Sequence, residues 1–413
     1  MSDAGGGIPP VQPYGQPEGK LPDPEESFSA RLALAQRAGG LVAPLLTVVI
    51  AFVMGGLVVL ITTGKNPLKT YQAIFEGAGL NWFFQIPWDF DSVAAFNLQQ
   101  TLIQTTTFIL VGLAVAFAFR CGLFNIGGQG QYLAGGILAV WIGSSFQDLN
   151  PYLHVGLAIV IGTLAGALIA GIAGFLKATV GAHEVISTIM LNWIVLWVGV
   201  YLFGLGGPLQ NDTQTSVPVS NDVAEGAKLH VFWGDPLLQG LHIGIFFALG
   251  ALIVYSILLN RTTLGYGVKA VGFNPEAARY GGISVARNYF LAMAISGAFA
   301  GLAGAIDVMG WQFRLNQNDV LVSSNIAFVG IAVALLGRNK ALGVGLSALL
   351  FAALVTGTST RNLDPEIFRP ELASNLTYII QGLVILFVGA DVLVLYVFGW
   401  RRRRARRVSA EGL

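Results

Sequence analysis

Residues 153–176 read LHVGLAIVIGTLAGALIAGIAGFL, twenty-four positions without one Asp, Glu, Lys or Arg. As a helix at about 1.5 Å per residue this run is roughly 36 Å long, enough to cross about 30 Å of hydrocarbon. A helix also satisfies its own backbone hydrogen bonds, as lipid requires. Working outward, comparable apolar runs lie near 39–62, 99–119, 125–144, 185–205, 240–259, 288–309, 322–337, 341–359 and 374–399. With 153–176 they make ten expected spans, the one at 322–337 short, Gly-bounded and open to being tilted or broken.

Composition agrees with lipid as the main solvent. The chain of 413 residues is 54% hydrophobic and 11% charged, where soluble domains carry about a quarter charged residues. The 53 glycines would weaken helices in water but allow close helix approach in a membrane. Cys121, the single cysteine, permits no intrachain disulfide and reads as a small buried apolar side chain. No CxxC or Cys/His cluster is present, so neither a metal site nor a cofactor is expected. Residues 1–38 hold six of the sixteen prolines and no apolar run, and read as a disordered tail. The first apolar run, from about Gly39, is too long and too far in for a signal peptide.

The positive-inside rule orients the ten spans. With both termini cytoplasmic, the inner segments collect seventeen of the 23 Lys and Arg residues and the outer ones keep six. The expected fold class is therefore an all-α polytopic membrane protein of about ten transmembrane helices, both termini cytoplasmic. Its transmembrane domain spans 39–400 and its basic C-terminal tail 401–413. RRRRARR at 401–407 reads as an anchor at anionic lipid headgroups rather than a nucleic-acid site. An extracytoplasmic loop of about 206–239 carries Asp212, Asp222, Glu225 and Asp235, and a cytoplasmic loop of about 260–287 carries four basic residues and EAAR.

Enzyme chemistry finds no foothold. Gly64-Lys65-Asn66 lacks the phosphate-cradling pattern, His183-Glu184 does not extend to HExxH, and GxSxG is absent. Ionisable groups within the spans reduce to Glu184 and Asp307, near predicted helix ends, and Asp391, read as interfacial. That scarcity argues against an ion-coupled carrier, the alternative from another class, which needs such groups. A membrane-embedded enzyme lacks paired acid and base residues.

Uncharged polar groups are concentrated instead. Gln100, Gln104 and Thr107 share one helix face at i, i+4 and i+7. The turn Gly122–Gln131 reads GLFNIGGQGQ and encloses Asn125 and Gln129 in glycine. Such backbone at membrane depth is tolerated where it is buried in protein or lines a cavity. Thr188 and Asn192 share a face of the next span but one, and Asn325 begins the eighth. Each residue alone also fits ordinary interhelical hydrogen bonding. As a set, Gln104, Asn125, Gln129, Thr188, Asn192 and Asn325 suit a path for a small neutral solute.

GLFNIGGQGQYLAGG at 122–136, GAHEVISTIMLNWI at 181–194 and TTLGYGVKAVGFNPEAARYGGISVARNYFLAMAISGAFAGLAGA at 262–305 together resemble a family of bacterial permeases. These serve ATP-binding-cassette importers of nucleosides, simple sugars and branched-chain amino acids. The resemblance covers nearly all of 40–395 and is strongest to the nucleoside branch, which often has Glu where this chain has Gln129. It implies nucleoside import across the bacterial cytoplasmic membrane by alternating access, with a simple sugar as the alternative. It also implies a cytoplasmic ATPase that hydrolyses the ATP, a second permease chain, and an extracytoplasmic substrate-binding lipoprotein. The segment Pro275–Gly282 matches the family's short coupling helix, which assigns ATPase coupling to Glu276, Ala277, Ala278, Arg279 and Gly282.

Overall fold

A computed structural model describes residues 48–61, 64, 66–146, 148–317 and 326–359, with five isolated positions between 378 and 386. Twelve helices are numbered here in chain order: α1 Val48–Ile61, α2 Pro67–Gly77, α3 Val93–Arg120, α4 Gly128–Ser145, α5 Pro151–Val180 and α6 Glu184–Phe203. They continue as α7 Gly244–Arg261, α8 Thr263–Phe273, α9 Pro275–Tyr280, α10 Val285–Asp307, α11 Ile326–Leu336 and α12 Ala341–Gly357. A short antiparallel pair, β1 Val231–Trp233 and β2 Leu241–His242, lies between α6 and α7. α3, α5, α6, α7 and the α10 segment Val285–Gln312 are long and apolar enough to cross a membrane. The expected span at 374–399 and the basic tail lie outside the described residues.

Expected and observed helices agree to within a few residues from 93 to 261. Of the expected span at 322–337, the described residues show α11 over 11 residues, Ile326–Leu336; its first four positions lie outside them. The loop at 260–287 differs more. It carries an 11-residue helix, α8, ahead of the expected turn of helix at 275–280. Thr262 starts α8 by accepting from Gly265 N at 3.1 Å, and Asn274 starts α9 by accepting from Ala277 N at 3.1 Å. These caps satisfy N–H groups that a helix start leaves free.

The core is organised around α3, which is buried along most of its length, and around the joint packing of α4, α5 and α10. The last three meet backbone to backbone. Gly162 and Gly166 on α5 face Gly297 and Gly301 on α10, each pair in G-x-x-x-G spacing. A Cβ built on Gly166 would lie 2.3 Å from Gly297 O, and one on Gly297 would lie 2.2 Å from Gly166 O. Gly135 of α4 joins the same seam, its Cβ position 2.2 Å from Gly301 O. No side chain fits at these positions without parting the helices.

The helices alternate in direction, so their ends sort into two groups. Arg120 donates to Asn339 O at 2.7 Å, Cys121 lies against Asn288 O, and Lys177 pairs with Glu184 at 2.8 Å. These contacts gather one end, and among the described residues it carries Arg120, Lys177, Arg261, Lys269, Arg279, Arg287, Arg338 and Lys340. The opposite end carries Lys69, Lys228 and Arg314. Eight against three repeats, in space, the asymmetry read from the sequence.

Replacing Gly301 by Val adds a branched side chain whose Cβ alone would lie 2.5 Å from Gly162 O and 2.9 Å from Gly166 Cα. Overpacking costs about 1–3 kcal/mol when neighbours can shift, and backbone atoms shift least. The expected outcome is loss of monodisperse protein on detergent extraction, read by size-exclusion chromatography and thermal unfolding, with Gly301→Ala intermediate.

Candidate functional site

The turn between α3 and α4 lies at the basic end and is fixed by side-chain amides. Asn125 is fully buried. Its Oδ1 accepts from Gly127 N and from Gln131 Nε2, both at 2.9 Å. Its Nδ2 donates to Gln131 Oε1 at 2.8 Å and to Ser296 Oγ at 2.7 Å. Ser296 donates in turn to Ala114 O at 2.5 Å. One asparagine therefore ties the turn to α4, α10 and, through Ser296, α3. Buried amides satisfied on both sides rigidify a core, while half-satisfied ones destabilise it.

Asn192 holds the same turn from α6. Its Oδ1 accepts from Gly130 N at 2.8 Å and its Nδ2 donates to Ile126 O at 3.0 Å. The approach is close enough to require glycine at 130, where a Cβ would lie 2.8 Å from Asn192 Oδ1 and 2.9 Å from Asn192 Cα. Thr188, buried one turn earlier on α6, donates to its own helix at Glu184 O, 2.8 Å away. Gln129 is buried at the start of α4, and Gln104 is half-buried on α3. Asn325 lies outside the described residues.

Of the six polar residues read as a path, the structure thus joins Asn125 and Asn192 in one turn, with Gln129 inside it and Thr188 on the helix that clamps it. Gln104 belongs to a different level of α3. Ser296 and Gln131 complete the network; Gln131 lies in the quoted turn, but Ser296 sits 171 positions from Asn125 and nothing in its own neighbourhood marks it.

A second polar cluster sits in the core nearer the opposite end. Asp307 is the last α-helical residue of α10, ahead of a π-helical turn at Val308–Gln312, and is 2% exposed. Its carboxylate accepts from Thr107 Oγ1 at 2.6 Å and from Tyr132 OH at 2.7 Å. Three helices, α3, α4 and α10, share this carboxylate. The π turn is in turn held by the segment 219–243. Val223 N donates to Phe313 O at 2.8 Å, and Leu229 N to Met309 O at 2.9 Å. His242 is fully buried beside Gly310, and its Nδ1 accepts from Gly244 N at 3.1 Å.

Aromatic rings gather at that end outside the helices. Trp82 stacks on Trp88 with centroids 5.7 Å apart and meets Trp233 of β1 at 5.2 Å. Gln100, which shares a face of α3 with Gln104 and Thr107, donates to Gln239 O at 2.9 Å and holds the β1–β2 connection down on α3.

At the basic end α8 and α9 form an elbow. Asn274 serves both helices, its N–H donating to Ala270 O at 3.1 Å while its side chain caps α9. Ala278 is buried against the bundle, and Glu276 and Arg279 form an exposed pair at 3.9 Å. Gly282 takes φ +77°, a left-handed conformation that lets the chain reverse into α10. Phe273 ends α8 and Tyr280 ends α9, and they are 92% and 93% exposed.

Comparison with known proteins adds an independent line. Residues 97–389 match the model of a family described as branched-chain amino acid transport system, permease component. The chain is 35% identical over 378 residues to the guanosine ABC transporter permease protein NupP of Bacillus subtilis, covering 90% of this chain and 99% of that one. It is 35% identical over 351 residues to the nucleoside ABC transporter permease protein NupB of Lactococcus lactis, covering 83% and 91%. The glucose ABC transporter permease protein TsgB13 of Haloferax volcanii is 31% identical over 373 residues, 89% and 90% of the two chains. No solved structure matches the chain significantly.

Asn192→Leu removes both bonds to the turn and strands Gly130 N–H and Ile126 C=O, a cost of about 1–3 kcal/mol. The expected result is a lower unfolding temperature in detergent together with reduced uptake. Thr188→Val, which deletes only a hydroxyl bonded to its own helix, should leave the unfolding temperature nearly unchanged.

Proposed function

As the chain belongs to the family of branched-chain amino acid transport system permease components, we propose that it carries a nucleoside inward across a bacterial cytoplasmic membrane. It is a multi-pass membrane protein and the permease subunit of an ATP-binding-cassette importer, the ATP being hydrolysed by a separate subunit. The observation that carries the nucleoside reading is end-to-end similarity to a guanosine permease and a nucleoside permease. The chemistry of the interior supports it. Both buried carboxylates among the described residues are already engaged, Glu184 by Lys177 and Asp307 by Thr107 and Tyr132. That leaves amides, hydroxyls and apolar walls, which suit a neutral solute. The second reading, a simple sugar, rests on the similarity to a glucose permease.

The basic end is read as cytoplasmic by the positive-inside rule, which puts α8 and α9 inside the cell. There Phe273 and Tyr280 stand almost fully exposed at the ends of α8 and α9. In an aqueous, basic loop two such rings are costly unless a partner covers them. We assign them, with Glu276, Ala277, Arg279 and the reversal at Gly282, to the ATPase docking surface. A lipoprotein delivering solute and a second permease chain complete the importer in this reading.

In vesicles loaded with ATP and supplied with the cognate ATPase and lipoprotein, unlabelled adenosine, guanosine or uridine should block uptake of a labelled nucleoside. Glucose and leucine should not. Uptake of glucose with nucleosides ignored would overturn the substrate while leaving the permease in place. Buried aromatic anchors commonly contribute about 1–2 kcal/mol or more to an interface. Tyr280→Ala should therefore weaken ATPase binding about tenfold, Phe273→Ala similarly, with membrane insertion unchanged. Undiminished binding by both would remove α9 from the docking surface.

A further inference from the structure

We propose that Arg120 is the positioning residue that carries ATPase-driven movement of α8 to the reversal between α11 and α12; this rests on the reading of α8 and α9 as the ATPase-facing elbow. The buried face of α8 consists of Gly265, Gly267, Val268 and Val271. Its glycines seat it on three helices. A Cβ on Gly265 would lie 2.1 Å from Leu258 O of α7, and one on Gly267 would lie 2.7 Å from Asn288 Oδ1 of α10. One on Gly272 would lie 2.3 Å from Arg120 O of α3. No side chain cushions α8 against α3 there, so α8 cannot press inward without displacing the Arg120 backbone.

Arg120 is the last residue of α3, and its side chain ends on a distant part of the chain. Its Nη2 donates to Asn339 O at 2.7 Å and its Nε to the same oxygen at 3.2 Å. Tyr255 of α7 donates its hydroxyl to that oxygen as well, at 2.8 Å. Two of the helices on which α8 is seated therefore converge on one carbonyl, in the turn that joins α11 to α12. A guanidinium also suits that place, because the C-terminal end of a helix attracts positive charge and offers unpaired carbonyls.

The turn depends on these bonds. Arg338 and Asn339 both take φ of +52°, a left-handed conformation that residues with side chains keep only where their surroundings over-determine it. The reversal is also tight, a Cβ on Gly343 falling 2.2 Å from Gly337 O. Displacing the Asn339 carbonyl is therefore passed to α11 and α12 together rather than absorbed between them. Both helices rest on α3 at Gly112, where a Cβ would lie 2.6 Å from Val333 Cγ1 and 3.1 Å from Val344 Cγ1. Moving the turn re-seats them on that central helix.

The test measures uptake and ATP hydrolysis together in vesicles holding the full importer. Labelled guanosine is the probe, or labelled glucose where the unmutated importer takes only that. Loss of stability alone lowers the number of working importers, and so lowers uptake and hydrolysis in step. Arg120→Ala should instead lower uptake per ATP hydrolysed about tenfold, a coupling of ordinary size, with ATPase binding retained. Arg120→Lys keeps one charged donor for the Asn339 carbonyl and should recover most of that ratio. Gly272→Ala, which unseats α8 from Arg120 by bulk alone, should lower the ratio as Arg120→Ala does. It also stands in for Arg120→Ala where that variant does not fold. The double variant should fall no further than the lower single one, since both residues act in one linkage. An unchanged ratio in Arg120→Ala, or in its stand-in, overturns the transmission alone, as do losses that add in full in the double variant. ATPase binding undiminished by Phe273→Ala and Tyr280→Ala overturns the docking reading and the transmission with it.

Discussion

The contact on which the rest of the structure depends is the glycine seam between α5 and α10, with α4 pressed into it. In lipid no hydrophobic effect drives one apolar helix against another, and association rests on packing and hydrogen bonds. Gly162, Gly166, Gly297 and Gly301 turn that limit into a close backbone approach, with carbonyl oxygens where side chains would otherwise stand. Once α10 is set at that distance, Ser296 reaches Asn125 and Asp307 reaches Thr107 and Tyr132. A wider seam would leave those polar groups unpaired in the least forgiving surroundings.

The amides of the turn at 122–131 have a structural duty that their composition does not reveal. A Gly-rich, Asn/Gln-rich stretch at membrane depth must satisfy its backbone within the protein. Asn125 and Asn192 do this, and in doing so they spend most of their hydrogen-bonding capacity on the chain itself. Groups so engaged hold the surrounding wall still and have little bonding capacity left for anything else. A permease fed by a delivery protein gains from this, because a wall that grips weakly also releases.

The spans were legible because length and hydropathy are local properties, and lipid enforces them without regard to tertiary detail. The sidedness of the basic residues was legible for the same reason. α8 was not: TTLGYGVKAVGF carries three glycines and a β-branched start, a poor helix by propensity, yet Thr262 caps it and Gly265, Gly267 and Gly272 meet Leu258, Asn288 and Arg120 too closely for side chains. Asp307 does lie at the end of α10, but its burial was not legible, because its partners Thr107 and Tyr132 stand on other helices. The partners of Asn125 were half legible, Gln131 lying six residues away and Ser296 on a helix brought near only by the fold.

The π turn at Val308–Gln312 has a consequence for how this chain tolerates change in length. Such a turn carries one residue more than the α-helical turn it interrupts. Deleting one residue there would restore regular winding and rotate everything beyond it by about 100°. Phe313, whose φ of +56° ends the helix, and Leu315, which bonds Ser220 through both backbone and hydroxyl, would then face away from the segment they now hold. Deletions are therefore closed to this stretch by geometry even where every remaining residue is retained.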